Sequence, residues 1–143
     1  MLSVEMTGAL DGLQGLIVED EPLIGMSVEE AIVSAGGTAF RVETDRAAYA
    51  AIEARVGKLD VLILDVNLGE GTTGFDVGRF ARRLNPKLAV IYLSGGPEEW
   101  AEWFGVENAA FLSKPVTEQV LIETVARLTG RGDPPGNPMP MPA

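Results

Sequence analysis

Five short apolar runs rich in Val, Ile and Leu alternate along the chain with segments of mixed polarity. A continuously apolar run is typical of a strand buried on both faces, and such strands occur in parallel sheets covered by helices. The runs occupy Leu13–Val18, Thr38–Val42, Val61–Leu64, Leu88–Leu93 and Ala109–Leu112. The alternation therefore predicts an α/β fold with a doubly wound, five-stranded parallel sheet and helices on both faces.

The segments between the runs carry helix signals. In the first of them, Ile24, Val28, Ala31 and Ala35 recur at helical spacing, which places them on one face of a helix. Capping residues, glycines and prolines indicate where the helices begin and end. The five predicted helices are a first ending at Gly36-Gly37, a second with Thr44 and Asp45 as candidate caps and running to Ala54, a third over Phe75–Leu84, a short fourth opened by Pro97, and a fifth between Thr117 and Gly130.

The length and composition fit a single domain. The chain has 143 residues, of which 46% are apolar, and this is enough to fill one core. The last residues are dominated by Pro and Gly and offer little surface to bury, so they favour disorder. We predict an N-terminal extension over residues 1–12, one domain over 13–129 and a disordered Pro-rich tail over 130–143.

Charge and missing residue types exclude several functions. The chain has no cysteine and no histidine, which excludes disulfides, thiolate or imidazole metal sites, and Ser-His-Asp catalysis. The net charge of −10 repels nucleic acid and anionic membrane surfaces. Neither a leader peptide nor an apolar stretch of membrane-spanning length is evident. We therefore expect a soluble, cytoplasmic protein that binds neither nucleic acid nor membrane.

Polar residues stand at the ends of four predicted strands: Glu19-Asp20-Glu21 after the first, Asp65 after the third, Ser94-Gly95-Gly96 after the fourth and Lys114-Pro115 after the fifth. Ligands bind at the carboxyl ends of strands in such sheets, where neighbouring loops converge. Two carboxylates at 4 Å repel by about 1 to 4 kcal/mol between water and a protein-like dielectric. A hard dication such as Mg²⁺ would offset that repulsion.

Each of these residues also has an ordinary structural interpretation. The first acids suit the start of a helix, Asp65 suits a turn, Ser94 with its glycines suits a turn, and Lys114 suits an exposed surface. Their joint occurrence at four strand ends favours a site for phosphoryl transfer.

Four segments also carry a family resemblance: Leu16-Ile-Val-Glu-Asp-Glu-Pro-Leu-Ile24, Val61-Leu-Ile-Leu-Asp-Val-Asn-Leu68, Val90-Ile-Tyr-Leu-Ser-Gly95 and Phe111-Leu-Ser-Lys-Pro115. Together they resemble the receiver domain of bacterial two-component response regulators, over roughly residues 13–129. The resemblance implies a CheY-like, flavodoxin-like fold with strand order 2-1-3-4-5.

The resemblance also implies a role for each matched residue. Asp65 would be the phosphorylated nucleophile, and it would bind Mg²⁺ together with Glu19, Asp20 and the backbone carbonyl of Asn67. Lys114 would neutralise the phosphoryl group as a point charge.

Two further residues would report the state of the site. Ser94 would hydrogen-bond a phosphoryl oxygen, and Phe111 would be the aromatic switch residue, although a core position explains Phe111 equally simply. The Lys114-Pro115 peptide bond is expected to be cis.

The implied function is a stand-alone response regulator. It would take its phosphoryl group from a sensor histidine kinase or phosphotransfer protein, and signal by phosphorylation-dependent partner binding or onward phosphorelay. It would assist its own phosphorylation without being a conventional turnover enzyme. A downstream protein or a second copy would dock on the face of the fourth helix, fifth strand and fifth helix. Trp100, Trp103 and Phe104 in that region fit either core packing or such a contact surface.

Some positions depart from the family pattern. The loop Gly69–Gly74 lacks an expected proline and is about one residue longer than usual, the interval from Ser94 to Lys114 is short, and Phe111 lacks the hydroxyl of the commoner Tyr.

Two alternative functions remain open at this point. One is a receiver that docks proteins without being phosphorylated, and the other is an aspartate-nucleophile phosphatase of the haloacid dehalogenase type, which Asp65-Val-Asn67 loosely matches.

Overall fold

A computed structural model of the chain describes residues 6–68, 73–95 and 105–131. Five strands form one sheet in the order β2-β1-β3-β4-β5, and each adjacent pair is parallel. The strands are β1 (Gln14–Val18), β2 (Thr38–Val42), β3 (Val61–Asp65), β4 (Ala89–Ser94) and β5 (Ala110–Ser113). This order confirms the predicted doubly wound sheet.

The described residues contain four helices: α1 (Pro22–Ser34), α2 (Asp45–Ala54), α3 (Gly74–Leu84) and α4 (Glu118–Leu128). The helix named α4 is the fifth of the predicted helices, because the predicted fourth, at Pro97, lies outside the described residues. The Thr44 hydroxyl accepts from Ala47 N at 3.1 Å, and the Thr117 hydroxyl accepts from Val120 N at 3.2 Å. Thr117 is therefore confirmed as a cap, and of the two candidates for α2 the cap is Thr44, while Asp45 is the first residue of the helix.

The two faces of the sheet pack against different helices, since successive strand side chains point to opposite sides. In β3, Val61 and Ile63 pack in the layer that contains buried residues of α1 and α4. The alternate residues Leu62 and Leu64 pack in the layer that contains those of α2 and α3. Asp65 follows Ile63 by two residues, so the pleat directs it to the α1 and α4 side at the carboxyl edge of the sheet.

The chain contributes to the core before β1 begins. Leu10 has no exposed surface, and its backbone N–H donates to the carbonyl of Ala35 at 2.9 Å. Gly36 follows with φ of 100°, a conformation that favours glycine, and it ends α1 as predicted. The described part of the predicted N-terminal extension is thus packed against the end of α1.

Parts of the predicted organisation fall outside the description. These are residues 1–5 of the extension, residues 69–72 of the loop after Asp65, the segment 96–104 with its aromatic residues, and residues 132–143 of the predicted tail. Among the helices of the described ranges, none has the length and apolarity that crossing a membrane requires.

Candidate functional site

Three charged side chains meet at the carboxyl edge of the sheet. Glu19 directly follows β1, Asp65 ends β3 and Lys114 directly follows β5. The Lys114 Nζ atom lies 3.0 Å from Glu19 Oε1 and 3.1 Å from Asp65 Oδ2. Glu19 is 0% exposed and Asp65 is 6% exposed. One ammonium group therefore lies between two buried carboxylates.

Backbone N–H groups fix the orientation of both acids. The Asn67 N–H donates to Asp65 Oδ1 at 3.0 Å, while Lys114 donates to Oδ2, so each oxygen of Asp65 has its own partner. The Glu21 N–H donates to Glu19 Oε2 at 3.2 Å. The site is thus held by short local turns that follow β1 and β3.

Asp20 joins the two buried acids to form a group that can hold a cation. Glu19, Asp20 and Asp65 each offer one carboxylate oxygen, and these oxygens lie within 4.8 Å of one another. Glu19 Oε1 is buried, and the Lys114 ammonium lies 3.0 Å from it. A donor set of three neighbouring carboxylates, with oxygen atoms alone, fits a hard cation such as Mg²⁺.

The surroundings shift two pKa values in this site. Burial raises the pKa of Glu19 from 4.5 to about 7, opposed by the Lys114 ammonium and the Glu21 N–H and reinforced by Asp65. Burial alone would lower the pKa of Lys114, but Glu19 and Asp65 outweigh that effect and raise it. Lys114 is therefore charged at neutral pH, and Glu19 binds a proton more readily than an ordinary glutamate when no metal is bound.

We expect the metal-free protein to lose about 3 kcal/mol of unfolding free energy between about pH 5 and pH 8 through Glu19 alone. The folded pKa of about 7 lies above the value of 4.5 that applies to the unfolded chain. The folded state therefore binds more protons between these values, and stability is lost as pH rises through them. Urea unfolding in a chelating buffer, repeated across this range, measures the effect.

Glu19→Gln should remove most of this pH dependence, whereas Glu53→Gln, the same change on an exposed residue, should leave it unchanged. An unaltered pH slope in Glu19→Gln would contradict the assignment of the effect to Glu19.

The two predicted switch residues occupy different places. Ser94 is the last residue of β4 and is 1% exposed, and its carbonyl accepts from Lys114 N at 2.8 Å. Phe111 lies on β5 opposite Tyr92 of β4, where it is partly buried against the α2 and α3 layer. Ser94 thus stands at the edge of the site and Phe111 within the adjoining core. Their switching roles stay predictions.

Three contacts in the neighbourhood were not foreseen from the sequence. The Glu21 N–H orients Glu19, the buried Tyr92 hydroxyl accepts from Val106 N at 3.2 Å, and Gly74 lies against the backbone of Asp65. Of these three contacts, only the one made by Gly74 has a sign in the local sequence, because this glycine stands just before a helical pattern.

The predicted cis peptide at Lys114-Pro115 is confirmed.

Comparison with known proteins agrees with this geometry. A sequence profile of the family described as "Response regulator receiver domain" matches residues 16–126. The chain is 31% identical over 133 residues to the transcriptional regulatory protein TcrA of Mycobacterium tuberculosis, covering 92% of this chain and 51% of TcrA. It is 27% identical over 100 residues to the phyllosphere-induced regulator PhyR of Methylorubrum extorquens, covering 70% of this chain and 37% of PhyR. The chain therefore spans about half, or less, of these curated relatives.

The fold is shared with solved receiver proteins. The crystal structure of a response regulator receiver protein from Sinorhizobium medicae superposes with a TM-score of 0.79 at 24% identity, covering 87% of this chain and 99% of that one. The profile match extends over most of the chain and includes all five strands apart from the first two residues of β1. The chain belongs to the family of response regulator receiver domains.

Proposed function

We propose that Asp65 accepts a phosphoryl group, and that Glu19, Asp20, Asp65 and the backbone carbonyl of Asn67 hold the Mg²⁺ that this reaction uses. The observation that carries the proposal is the position of the Lys114 ammonium, 3.1 Å from Asp65 Oδ2 beside a cluster of three acids. The Asp65 carboxylate thus lies beside a positively charged lysine and a group of acids that can bind a metal cation. Phosphoryl transfer to Asp65 brings negatively charged phosphoryl oxygens to this place, and nearby positive charge stabilises them.

The reaction balances without any further reactant. A carboxylate oxygen of Asp65 attacks the phosphorus atom, the bond from phosphorus to the donor breaks, and the leaving atom keeps the electron pair. The product is an acyl phosphate on Asp65. Lys114 stays charged throughout and compensates the incoming oxygens, and Ser94 stands at the same edge as a hydroxyl donor. Bound Mg²⁺ would supply additional neutralisation of the phosphoryl oxygens.

A phosphohistidine donor would lie outside this sequence, because none of its 143 residues is a histidine. We propose a sensor histidine kinase or phosphotransfer protein as donor, and partner binding or onward phosphorelay as the output. A partner or a second copy would dock on the face that includes β5 and α4. Since Asp65 is itself modified, the protein would assist its own reaction without acting as a turnover enzyme. We place it in the cytoplasm, where such donors present their phosphorylated groups.

The geometry disfavours a phosphatase of the aspartate-nucleophile type. Such an enzyme needs an acid two residues after the nucleophile, and that position is Asn67, whose N–H is bonded to Asp65. An amide cannot supply the proton that a leaving alcohol takes up.

Incubation of the whole chain with acetyl phosphate tests the proposal. With Mg²⁺ present, intact-mass analysis should show a gain of one phosphoryl group, and with a chelator present the gain should fall by at least about 10-fold, since charge neutralisation of this kind contributes strongly to the rate. No gain with Mg²⁺, or an equal gain with and without it, would contradict the proposal.

A further inference from the structure

Gly74 contacts the backbone of the proposed phospho-acceptor more closely than any side chain would permit. It is the first residue of α3 and is buried, and its N–H donates to the Val66 carbonyl at 2.8 Å. A Cβ atom built at this position would overlap the carbonyl oxygen of Asp65, and would lie 2.8 Å from its carbonyl carbon and 2.9 Å from Val66 Cα. Real Cβ atoms essentially never approach within 3.0 Å.

All three of these atoms belong to the backbone, so no rotamer change would relieve the overlap. The Asp65–Val66 segment is also held from the other side, because the Val66 N–H donates to the Leu93 carbonyl at 3.2 Å. An added methyl group must therefore displace either the start of α3 or the peptide that follows Asp65. That same peptide leads to Asn67, whose N–H orients the Asp65 carboxylate at 3.0 Å.

We propose that Gly74 is a positioning residue for phosphoryl transfer. By letting α3 begin directly against the Asp65–Val66 backbone, it fixes the Asp65 carboxylate relative to Lys114 and the acid cluster. The inference rests on the proposed function, because it concerns how Asp65 is presented to the donor. Gly74 touches neither donor nor metal, and it acts only through the backbone of Asp65.

Gly78 offers a matched control, one turn further along α3. It is also buried, and a Cβ there would overlap the Tyr92 hydroxyl and lie 3.1 Å from two ring carbons. Gly78→Ala therefore makes the same chemical change on the same helix and also crowds a packed neighbour. The crowded group, however, is a side chain in the core layer of α2 and α3, whereas the acid cluster lies at the carboxyl edge.

The test compares wild type, Gly74→Ala and Gly78→Ala at a temperature where urea unfolding shows all three to be folded. We expect Gly74→Ala to be phosphorylated by acetyl phosphate about 10- to 100-fold more slowly than wild type, since a misplacement of about 1 Å costs rates of that order. Its Mg²⁺ affinity, measured without donor, should fall as well. Gly78→Ala should remain within about threefold of wild type in both measurements. We expect this even if its urea unfolding midpoint falls by as much as that of Gly74→Ala.

A wild-type rate and Mg²⁺ affinity in Gly74→Ala would overturn the inference while leaving the proposed function intact. Equal losses in the two variants would also overturn it, because a general loss of packing would then explain both. If wild type itself gains no phosphoryl group, the proposed function fails and the inference with it.

If Gly74→Ala does not fold, the wild-type chain is used for the test instead. Addition of Mg²⁺ should then shift the Gly74 amide resonance more than that of Gly78. Equal or absent shifts would contradict a backbone link between Gly74 and the acid cluster.

Discussion

Replacing Lys114 by Met should lower the unfolding free energy of the metal-free protein by about 3 kcal/mol at pH 8, because removing one partner of a buried ion pair leaves uncompensated charge. Two carboxylates lose their cation at once, since Nζ lies 3.0 Å from Glu19 Oε1 and 3.1 Å from Asp65 Oδ2. Met keeps the length and apolar character of the lysine stem, so the lost unfolding free energy measures the effect of removing the ammonium charge. Phosphorylation by acetyl phosphate should slow by at least about 100-fold, as is usual when a transition-state charge partner is removed.

The destabilisation should shrink as the pH falls. The pKa of Glu19 is already raised to about 7, and loss of the Lys114 ammonium, which lowers it, would raise it further. Glu19 therefore binds a proton below neutral pH and removes one of the two uncompensated charges. Urea unfolding of Lys114→Met at pH 6 and pH 8 measures this difference.

Lys87→Met is the matched control, because Lys87 is exposed and the change in net charge is the same. It should alter stability by less than about 0.5 kcal/mol. Equal stability losses for the two lysine variants, or a loss in Lys114→Met that does not depend on pH, would contradict the buried three-charge arrangement.

The fold could be predicted from the sequence because its central strands β3 and β4 are mostly apolar and because α2 and α4 begin at capping threonines. Val61–Leu64 contains only apolar side chains, and such a run has few options other than a central strand covered on both faces. Thr44 and Thr117 each stand where a hydroxyl can accept an N–H at the start of a helix. These signals are local, because each depends only on residues within one short segment.

The membership of the site could also be predicted, but its electrostatics could not. Parallel strands bring their carboxyl ends to one edge, so Glu19, Asp65 and Lys114 were expected to meet. The sequence gives no indication that Glu19 is wholly buried while its neighbour Asp20 is exposed. That difference depends on how the turn after β1 packs, and it is what raises the pKa of Glu19.

Contacts between distant segments were the least predictable features. The sequence pattern identifies Tyr92 only as part of an apolar strand, yet its hydroxyl accepts from Val106 N. Gly74 and Asp65 approach each other because the chain returns to the sheet after a loop, and the geometry of that return depends on the packing of α3. Such contacts follow from the assembled fold, and residue patterns within a single segment do not specify them.

The buried acids also show how stability and function oppose each other in this domain. An ionised Glu19 in the core is unfavourable for folding, and two nearby carboxylates add repulsion. Hydrophobic packing on both faces of the sheet provides the stability that tolerates them. A site proposed to bind a cation needs net negative charge before the cation arrives, and three acids beside one lysine supply it, so the local cost is consistent with the proposed role.

Asp65→Asn should abolish phosphorylation altogether, which is the largest expected effect on activity. The amide keeps the shape of the side chain and an oxygen that can accept from the Asn67 N–H, found at 3.0 Å in the native chain. It lacks the carboxylate oxygen that forms an acyl phosphate. The variant should remain folded, because Lys114 keeps Glu19 as an ion-pair partner and the repulsion between two neighbouring carboxylates is removed. Asp20→Asn makes the same change on the exposed member of the cluster, and should keep some phosphorylation at raised Mg²⁺ concentration.

The most direct test is the intact mass of wild type and Asp65→Asn after incubation with acetyl phosphate and saturating Mg²⁺. Acceptance at Asp65 predicts that wild type gains the mass of one phosphoryl group and that Asp65→Asn gains none. An equal gain in both proteins would place the phosphoryl group on another residue, and no gain in either would contradict a phospho-acceptor role for this site.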